Sequence, residues 1–173
     1  MKKAIFALLP LIVVAGFWVQ FPARVFAGPA EDVQAAMQLL KSKAATLGAP
    51  SIKGEEAVAG KTVPALYFGA VKMNNNFTLV DAVQKEVGGT ATIFVKSGGE
   101  FVRVATNVKR DDGSRAVGTV LDPKGKAIAA VAEGKSYFGE AAILGKPYIT
   151  GYDPIRDAGG TVIGIYYVGY LKN

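Results

Sequence analysis

The sequence predicts an α+β fold, in which one long N-terminal helix packs on an antiparallel sheet of about five strands. Near the N-terminus, apolar residues recur at helical spacing between residues 33 and 47. Further along, short extended segments rich in Val, Ile and Tyr alternate with turns rich in Gly and Asp. The last three of these segments are spaced like an antiparallel meander.

The first folded element is a helix over residues 28–48. Pro29 suits the first helical turn, Glu31 and Asp32 follow it, and Gly48 ends the segment. Its apolar face consists of Val33, Met37, Leu40, Ala44 and Leu47. An amphipathic helix of this kind has one face to bury.

The next segments are shorter. Residues 49–61 are polar and rich in Gly, Ala and Glu, which predicts a connecting loop with a short turn of helix. Residues 62–68 form an extended piece that Pro64 restricts to an edge or irregular position. Residues 77–87 predict a second helix, closed by two glycines.

Residues 90–108, TATIFVKSGGEFVRVATNV, predict a β-hairpin whose second strand carries a cation, Arg103. Because side chains alternate along a strand, Arg103 shares a face with Phe101, Ala105 and Asn107. One interpretation is an arginine whose stem packs on the sheet while its head reaches water. The other is an anion-binding group in a pocket.

The remaining chain contains a turn at residues 110–114, a turn at 122–126 and a short helix at 127–133. Extended segments follow at 137–144, 147–155 and 161–171. The long helix can cover one face of the sheet, and the segment inserted between the second and third strands can cover the other. This arrangement leaves room for a small cavity under the insertion.

The N-terminus has the features of a secretory signal peptide over residues 1–27. Two lysines precede an apolar stretch over residues 4–19, and Val25-Phe26-Ala27 fits a cleavage site. A retained membrane anchor is the alternative, although the stretch is short and interrupted by Pro10 and Gly16. We therefore expect residues 28–173 to be one exported domain, periplasmic or secreted.

Composition excludes several functions. Removal of Lys2, Lys3 and Arg24 from the 20 basic residues leaves 17 against 14 acidic ones, a formal charge of +3, and no dense basic run remains. Nucleic acid is therefore not an expected partner. The chain has no Cys and no His, which excludes disulfides, thiolate nucleophiles, the usual zinc sites and histidine triads. We expect no cofactor and no metal.

Binding is better supported than catalysis, since no nucleophile elbow or phosphate-binding glycine loop is present. Asp153 and Glu140 are the carboxylates best placed for a site, because both lie within extended segments. Tyrosines combine an apolar ring with a hydroxyl that can orient a small polar ligand. The seven tyrosines all lie in predicted strands, and Arg103, Arg115 and Lys146 are candidate cations for a carboxylate.

Four segments together resemble a known family of extracytoplasmic sensor domains. They are VPALYFG at 63–69, FTLVDAVQKEVGGTATIFVKSGGEFVRVATNVKRDDGSRAVGTVLD at 77–122, YFGEAAILGKPYITGYDPI at 137–155 and GGTVIGIYYVG at 159–169. In this order they are similar to single Cache domains of the Cache 3/Cache 2 fusion type. Such domains are input modules of chemotaxis receptors and sensor kinases.

The resemblance implies a PAS-like fold, with a ligand pocket on the sheet face opposite the long helix. It implies binding of small carboxylates or related metabolites, and a role in signal transduction. The pocket residues carried over onto this sequence are Arg103, Thr106, Asn107, Arg115, Thr119, Tyr137, Tyr148, Tyr152 and Asp153.

Receptors of this type continue into a second membrane helix, whereas this sequence stops at Asn173. We therefore expect an exported binding protein that works through a membrane receptor or sensor kinase, with a homodimer through the N-terminal helix as a further expectation. The alternative is an adaptor that acts on a membrane partner without a ligand, through an apolar patch on that helix. An enzyme is the least favoured hypothesis.

Overall fold

A computed structural model describes residues 29–172, and the predicted signal peptide lies outside these residues. Three helices and eight strands follow one another along the described chain. In order they are α1 (Pro29–Leu47), β1 (Pro50–Val58), β2 (Lys61–Phe68), β3 (Val71–Lys72), α2 (Thr78–Val87), β4 (Thr90–Ser97), β5 (Glu100–Thr106), α3 (Lys126–Ala132), β6 (Tyr137–Ile143), β7 (Lys146–Arg156) and β8 (Val162–Leu171).

The main sheet has five strands in the order β5-β4-β8-β7-β6, and every neighbouring pair is antiparallel. Strands β6, β7 and β8 form the predicted meander, and β4 and β5 form the predicted hairpin. The α+β, PAS-like class expected from the sequence is confirmed.

Helix α1 lies on one face of the main sheet, against β7 and β8. Its apolar stripe is buried, with Val33, Met37, Leu40 and Ala44 each no more than 3% exposed. The helix stops where Gly48 takes a φ of 122°, and a Cβ there would lie 2.7 Å from the Cα of Gly69. Glycine is therefore required at the point where the chain leaves the helix.

A second sheet of three strands, in the order β1-β2-β3, corrects the prediction of a loop over residues 49–61. Strand β1 is largely exposed, so it lacks the apolar alternation by which half-buried strands are recognised. A two-residue turn joins it to β2, with φ of 48° at Ala59 and 80° at Gly60. Pro64 of β2 pairs with Glu55, next to a register shift, and β3 does not reach it.

A β-bulge in β5 corrects the predicted alternation of side chains. Ile93 pairs with Ala105 and Phe94 with Arg103, so Val104 is the extra residue. Val104 and Ala105 both join the apolar cluster on the α1 side. The face assignments after Arg103 are therefore exchanged, and Asn107 does not lie beside Arg103 as the simple alternation predicted.

The opposite face of the main sheet is covered by the segment between β5 and β6, as predicted. Residues 116–121 run along β5, where Arg103 N–H donates to Thr119 O and Leu121 N–H donates to Phe101 O, both at 2.9 Å. Helix α3 then packs against β6 and β7. Its buried residues, Ala127 and Val131, belong to a second apolar cluster that also contains Phe94, Phe101, Tyr152 and Tyr167.

Candidate functional site

A cavity of about 410 Å³ lies on this second face, between the strands, residues 119–127 and β6. Strands β5 and β7 supply its floor through Arg103 and Tyr152. The roof comes from the 119–127 segment, and β6 closes one side. Its lining residues are Arg103, Thr119, Val120, Leu121, Asp122, Lys124, Gly125, Lys126, Ala127, Tyr137, Glu140, Ala141, Ala142, Ile143, Leu144 and Tyr152.

Arg103 is the charged group buried in this site, with 4% of the residue exposed. Its Nη1 donates to Thr119 Oγ1 at 2.7 Å, and that hydroxyl in turn donates to the Ala116 carbonyl at 2.8 Å. Its Nε is buried without a hydrogen-bond partner, and within residues 29–172 no carboxylate forms an ion pair with it. Buried polar groups are almost always paired. A buried guanidinium without an anionic partner therefore marks a candidate site for an anion.

The surroundings of Arg103 compensate its charge only in part. The guanidinium carbon lies 4.9 Å from the centroid of the Phe94 ring, within range of a cation–π interaction. Burial lowers the pKa of Arg103, and the nearby Tyr167 and Tyr152 partly oppose this shift. An arginine nevertheless stays protonated in a protein, so the site keeps a full positive charge.

A row of aromatic rings crosses the strands beneath the cavity. In neighbouring strands, Tyr137 pairs with Tyr152 and Tyr152 pairs with Tyr167. The ring centroids lie 6.2 Å apart for the first pair, 5.0 Å for the second, and 6.5 Å between Tyr167 and Phe94. Aromatic pairs at these distances stabilise each other, and the row reaches Arg103 through Phe94.

Burial also acts on the phenol groups. It raises the pKa of Tyr152 and of Tyr167 well above the usual value of 10.0. Both hydroxyls therefore remain neutral over the physiological range. Tyr152 lines the cavity, so its hydroxyl can donate a hydrogen bond to a ligand oxygen.

Of the nine predicted site residues, the structure brings four together in this cavity: Arg103, Thr119, Tyr137 and Tyr152. Arg103 belongs to β5 and Thr119 to the covering segment, and the two tyrosines belong to paired strands. The hydroxyl of Tyr137 donates to the Glu140 carbonyl at 2.8 Å. This bond fixes the ring at the cavity wall.

Thr106 and Asn107 lie outside the cavity, in the buried end of the hairpin. The hydroxyls of Thr106 and Thr92 lie 2.6 Å apart. The Asn107 amide donates to Val80 O of α2 at 2.8 Å, and its oxygen accepts from Ala91 N–H at 2.7 Å. Asn107 therefore ties β4 to α2, which follows from the bulge before it.

Arg115 also lies elsewhere, between the covering segment and α2. Its two Nη atoms donate to the two carboxylate oxygens of Asp81, at 2.7 and 2.8 Å. Its guanidinium carbon lies 4.4 Å from the Phe77 ring centroid. Arg115 is thus already paired, in contrast to Arg103.

On β7, Tyr148 packs against the second apolar cluster without lining the cavity. Asp153 points to the opposite face, where its carboxylate accepts hydrogen bonds from Lys41 of α1 and from Ser136. Tyr152 and Asp153 are consecutive, so a residue that lines the cavity is followed directly by a residue that contacts α1. Gly151 completes this contact, because a Cβ there would lie 3.0 Å from Cγ1 of Val33.

A second cleft, of about 440 Å³, lies around Asp153 on the α1 side. It is more open to solvent, and its charged groups, Lys41 and Asp153, already pair with each other. The cavity at Arg103 is the stronger candidate, because no carboxylate among residues 29–172 pairs with its buried charge.

Sequence reasoning missed the contribution of the turn at residues 122–126. Lys124 and Lys126 line the cavity beside Asp122. The turn was recognisable from Pro123 and Gly125, but turn composition does not show on which surface the turn folds. Two lysines around a glycine, just before a short helix, were the available signal.

No helix among residues 29–172 has both the length and the apolar character needed to cross a membrane. The same residues contain no group of three or more His, Cys, Asp or Glu side chains that could hold a metal ion.

Comparison with known proteins places the chain in a family. No curated protein matches the sequence. The family model of the Cache 3/Cache 2 fusion domain matches residues 30–173, which include every helix and strand described above except the first residue of α1. The chain therefore belongs to the Cache 3/Cache 2 fusion domain family, whose members are extracellular sensor domains that bind ligands.

Proposed function

We propose that this protein is an exported binding protein for a small carboxylate, which it holds in the cavity at Arg103. The observation that carries the proposal is the buried guanidinium, whose Nε has no partner. A carboxylate offers two acceptor oxygens in the geometry of an arginine fork. Binding would therefore supply the anion that the site lacks.

The cavity has the general form of a small-molecule site. Its volume of about 410 Å³ lies toward the small end of the usual range for ligand pockets. Apolar groups such as Ala127 and Ile143 lie beside the polar ones. A short hydrocarbon chain that carries a carboxylate fits this distribution.

The proposal is binding without catalysis. Arg103 cannot exchange a proton near neutral pH, so it can hold an anion but not act as a general acid or base. The raised pKa values of Tyr152 and Tyr167 likewise favour a fixed hydrogen-bond donor over a proton-transfer group.

A ligand-free adaptor is less well supported. That function needs an apolar patch on the outer face of α1, and the apolar residues of this helix face the sheet. Its outer face carries Gln34, Gln38 and Lys41. The proposed signalling partner, a membrane receptor or sensor kinase, would then respond to the ligand-bound protein.

A thermal-shift screen of the exported protein against short carboxylates, amino acids and purines tests the proposal. A carboxylate at about a hundred times its dissociation constant should raise the melting temperature by roughly 9 °C. Arg103→Ala should abolish the shift, while Arg115→Ala, a matched arginine outside the cavity, should keep it. A shift that survives Arg103→Ala, or no shift with any carboxylate, would refute the proposal.

A further inference from the structure

The rim of the cavity carries two more cations. Lys124 and Lys126 flank Gly125 in the turn that leads into α3, and both line the cavity. Both lysines are exposed, so their ammonium groups can move toward a bound ligand. In the described part of the chain, neither lysine belongs to an ion pair.

The acidic groups of the lining compensate these cations only in part, since Arg103, Lys124 and Lys126 face two carboxylates, Asp122 and Glu140. Glu140 Oε1 lies 2.6 Å from Nζ of Lys172, so its charge is already paired. Asp122 holds the turn itself: its Oδ1 accepts from Lys124 N–H at 2.9 Å, and its carbonyl accepts from Gly125 N–H at 3.1 Å. The lining therefore has an excess of positive charge, with one cation buried and two at the rim.

Building on the proposed function, we infer that the ligand is a short dicarboxylate. One carboxylate binds the Arg103 guanidinium, and the second lies at the rim between Lys124 and Lys126. The hydrocarbon chain between them passes Tyr152 and Ile143, which line the same cavity. A monocarboxylate would satisfy Arg103 and leave both lysines without an anion.

The rim contact also explains how a dicarboxylate would close its own site. The turn at residues 122–126 has hydrogen bonds of its own, from Lys124 N–H and Gly125 N–H to Asp122. An anion bound to both lysines connects this turn to the ligand and, through the ligand, to β5. Such a contact lies at the surface, so salt should weaken it more than the buried contact to Arg103.

Isothermal titration calorimetry with matched acid pairs tests this inference. The pairs are malonate and propionate, succinate and butyrate, and glutarate and valerate, which differ within each pair by one carboxylate. In at least one pair the dicarboxylate should bind about tenfold more tightly or better. The double variant Lys124→Gln/Lys126→Gln should remove this preference, and it should weaken dicarboxylate binding more than monocarboxylate binding.

Lys85→Gln/Lys96→Gln is the matched control, since it removes the same charge from exposed lysines of α2 and β4 outside the cavity lining. Equal affinities within every pair, or equal losses in the two double variants, would overturn the inference and leave the proposed function standing. Absence of binding by all six acids would overturn both.

Discussion

The Arg103 guanidinium lies over the face of the Phe94 ring, with 4.9 Å between the guanidinium carbon and the ring centroid. The two residues are paired across β4 and β5, beside the bulge at Val104. Phe94 is fully buried, so the cation rests on an apolar floor and faces the cavity. The arrangement holds the charge toward the cavity, and no carboxylate among residues 29–172 pairs with it.

Replacement of Arg103 by Met should abolish carboxylate binding without lowering the stability of the protein. Without ligand, the free energy of unfolding should stay unchanged or rise by about 1 kcal/mol, because a buried unpaired charge is replaced by an apolar chain. Carboxylate binding should be lost. Urea denaturation and calorimetry measure the two effects, and a strongly destabilised Arg103→Met protein would show that the cation is a structural element.

Tyr152→Phe should weaken carboxylate binding by about tenfold with little change in melting temperature, since one hydrogen bond is lost and the ring is kept. Tyr148→Phe is the control, because Tyr148 lies on the same strand outside the cavity. Equal affinities in these two variants would show that the Tyr152 hydroxyl does not contact the ligand.

Stability should fall as pH rises above about 10, the usual pKa of tyrosine. The pKa values of Tyr152, Tyr166 and Tyr167 are raised by burial, so at high pH the unfolded chain loses these protons while the folded protein keeps them. Each such group should lower the unfolding free energy by up to about 1.4 kcal/mol per pH unit. Tyr167→Phe should reduce the slope measured by urea denaturation between pH 9 and 11, and an unchanged slope would contradict the assignment.

Arg115→Ala should lower the unfolding free energy by about 1 kcal/mol, because it removes a partly exposed bidentate pair with Asp81. Ligand affinity should not change, since Arg115 lies outside the cavity. Calorimetry on this variant distinguishes the structural role from the binding role expected from the family resemblance. A tenfold loss of affinity would instead show that Arg115 takes part in ligand binding.

Gly151→Ala should destabilise the protein by about 1–3 kcal/mol, because the added Cβ would lie 2.8 Å from the Phe138 ring and 3.0 Å from Val33. Gly99→Ala provides the control, as a Cβ at Gly99 has no neighbour within 4 Å. Urea denaturation compares the two variants. Equal stability would mean that α1 can move away from β7 without cost.

Local patterns predicted most of the main sheet and the helices, because each buries an apolar face with a clear period. Strand β1 was missed since both of its faces are largely exposed, and only its pairing with β2 makes it a strand. The bulge at Val104 was equally hidden, because one extra residue leaves no trace in composition. The bulge places Asn107 where its side chain contacts α2 and not the cavity.

The site was predictable only where strand register determines it. Tyr137 and Tyr152 meet because β6 and β7 form a hairpin. Arg103 belongs to β5, at the opposite edge of the sheet from β6, and it reaches the same cavity because its side chain lies on the same face. Asp153 is one residue from Tyr152 and therefore lies on the other face. Lys124 and Lys126 depend on the path of a long insertion, which no periodic pattern describes.

Strand β7 has the cavity on one face and helix α1 on the other. Tyr152 borders the cavity, and the next residue, Asp153, binds Lys41 of α1. A displacement of the strand at Tyr152 would therefore reach the helix through one peptide unit and the ion pair of Asp153 with Lys41. Two consecutive residues of one strand thus connect the cavity lining with α1.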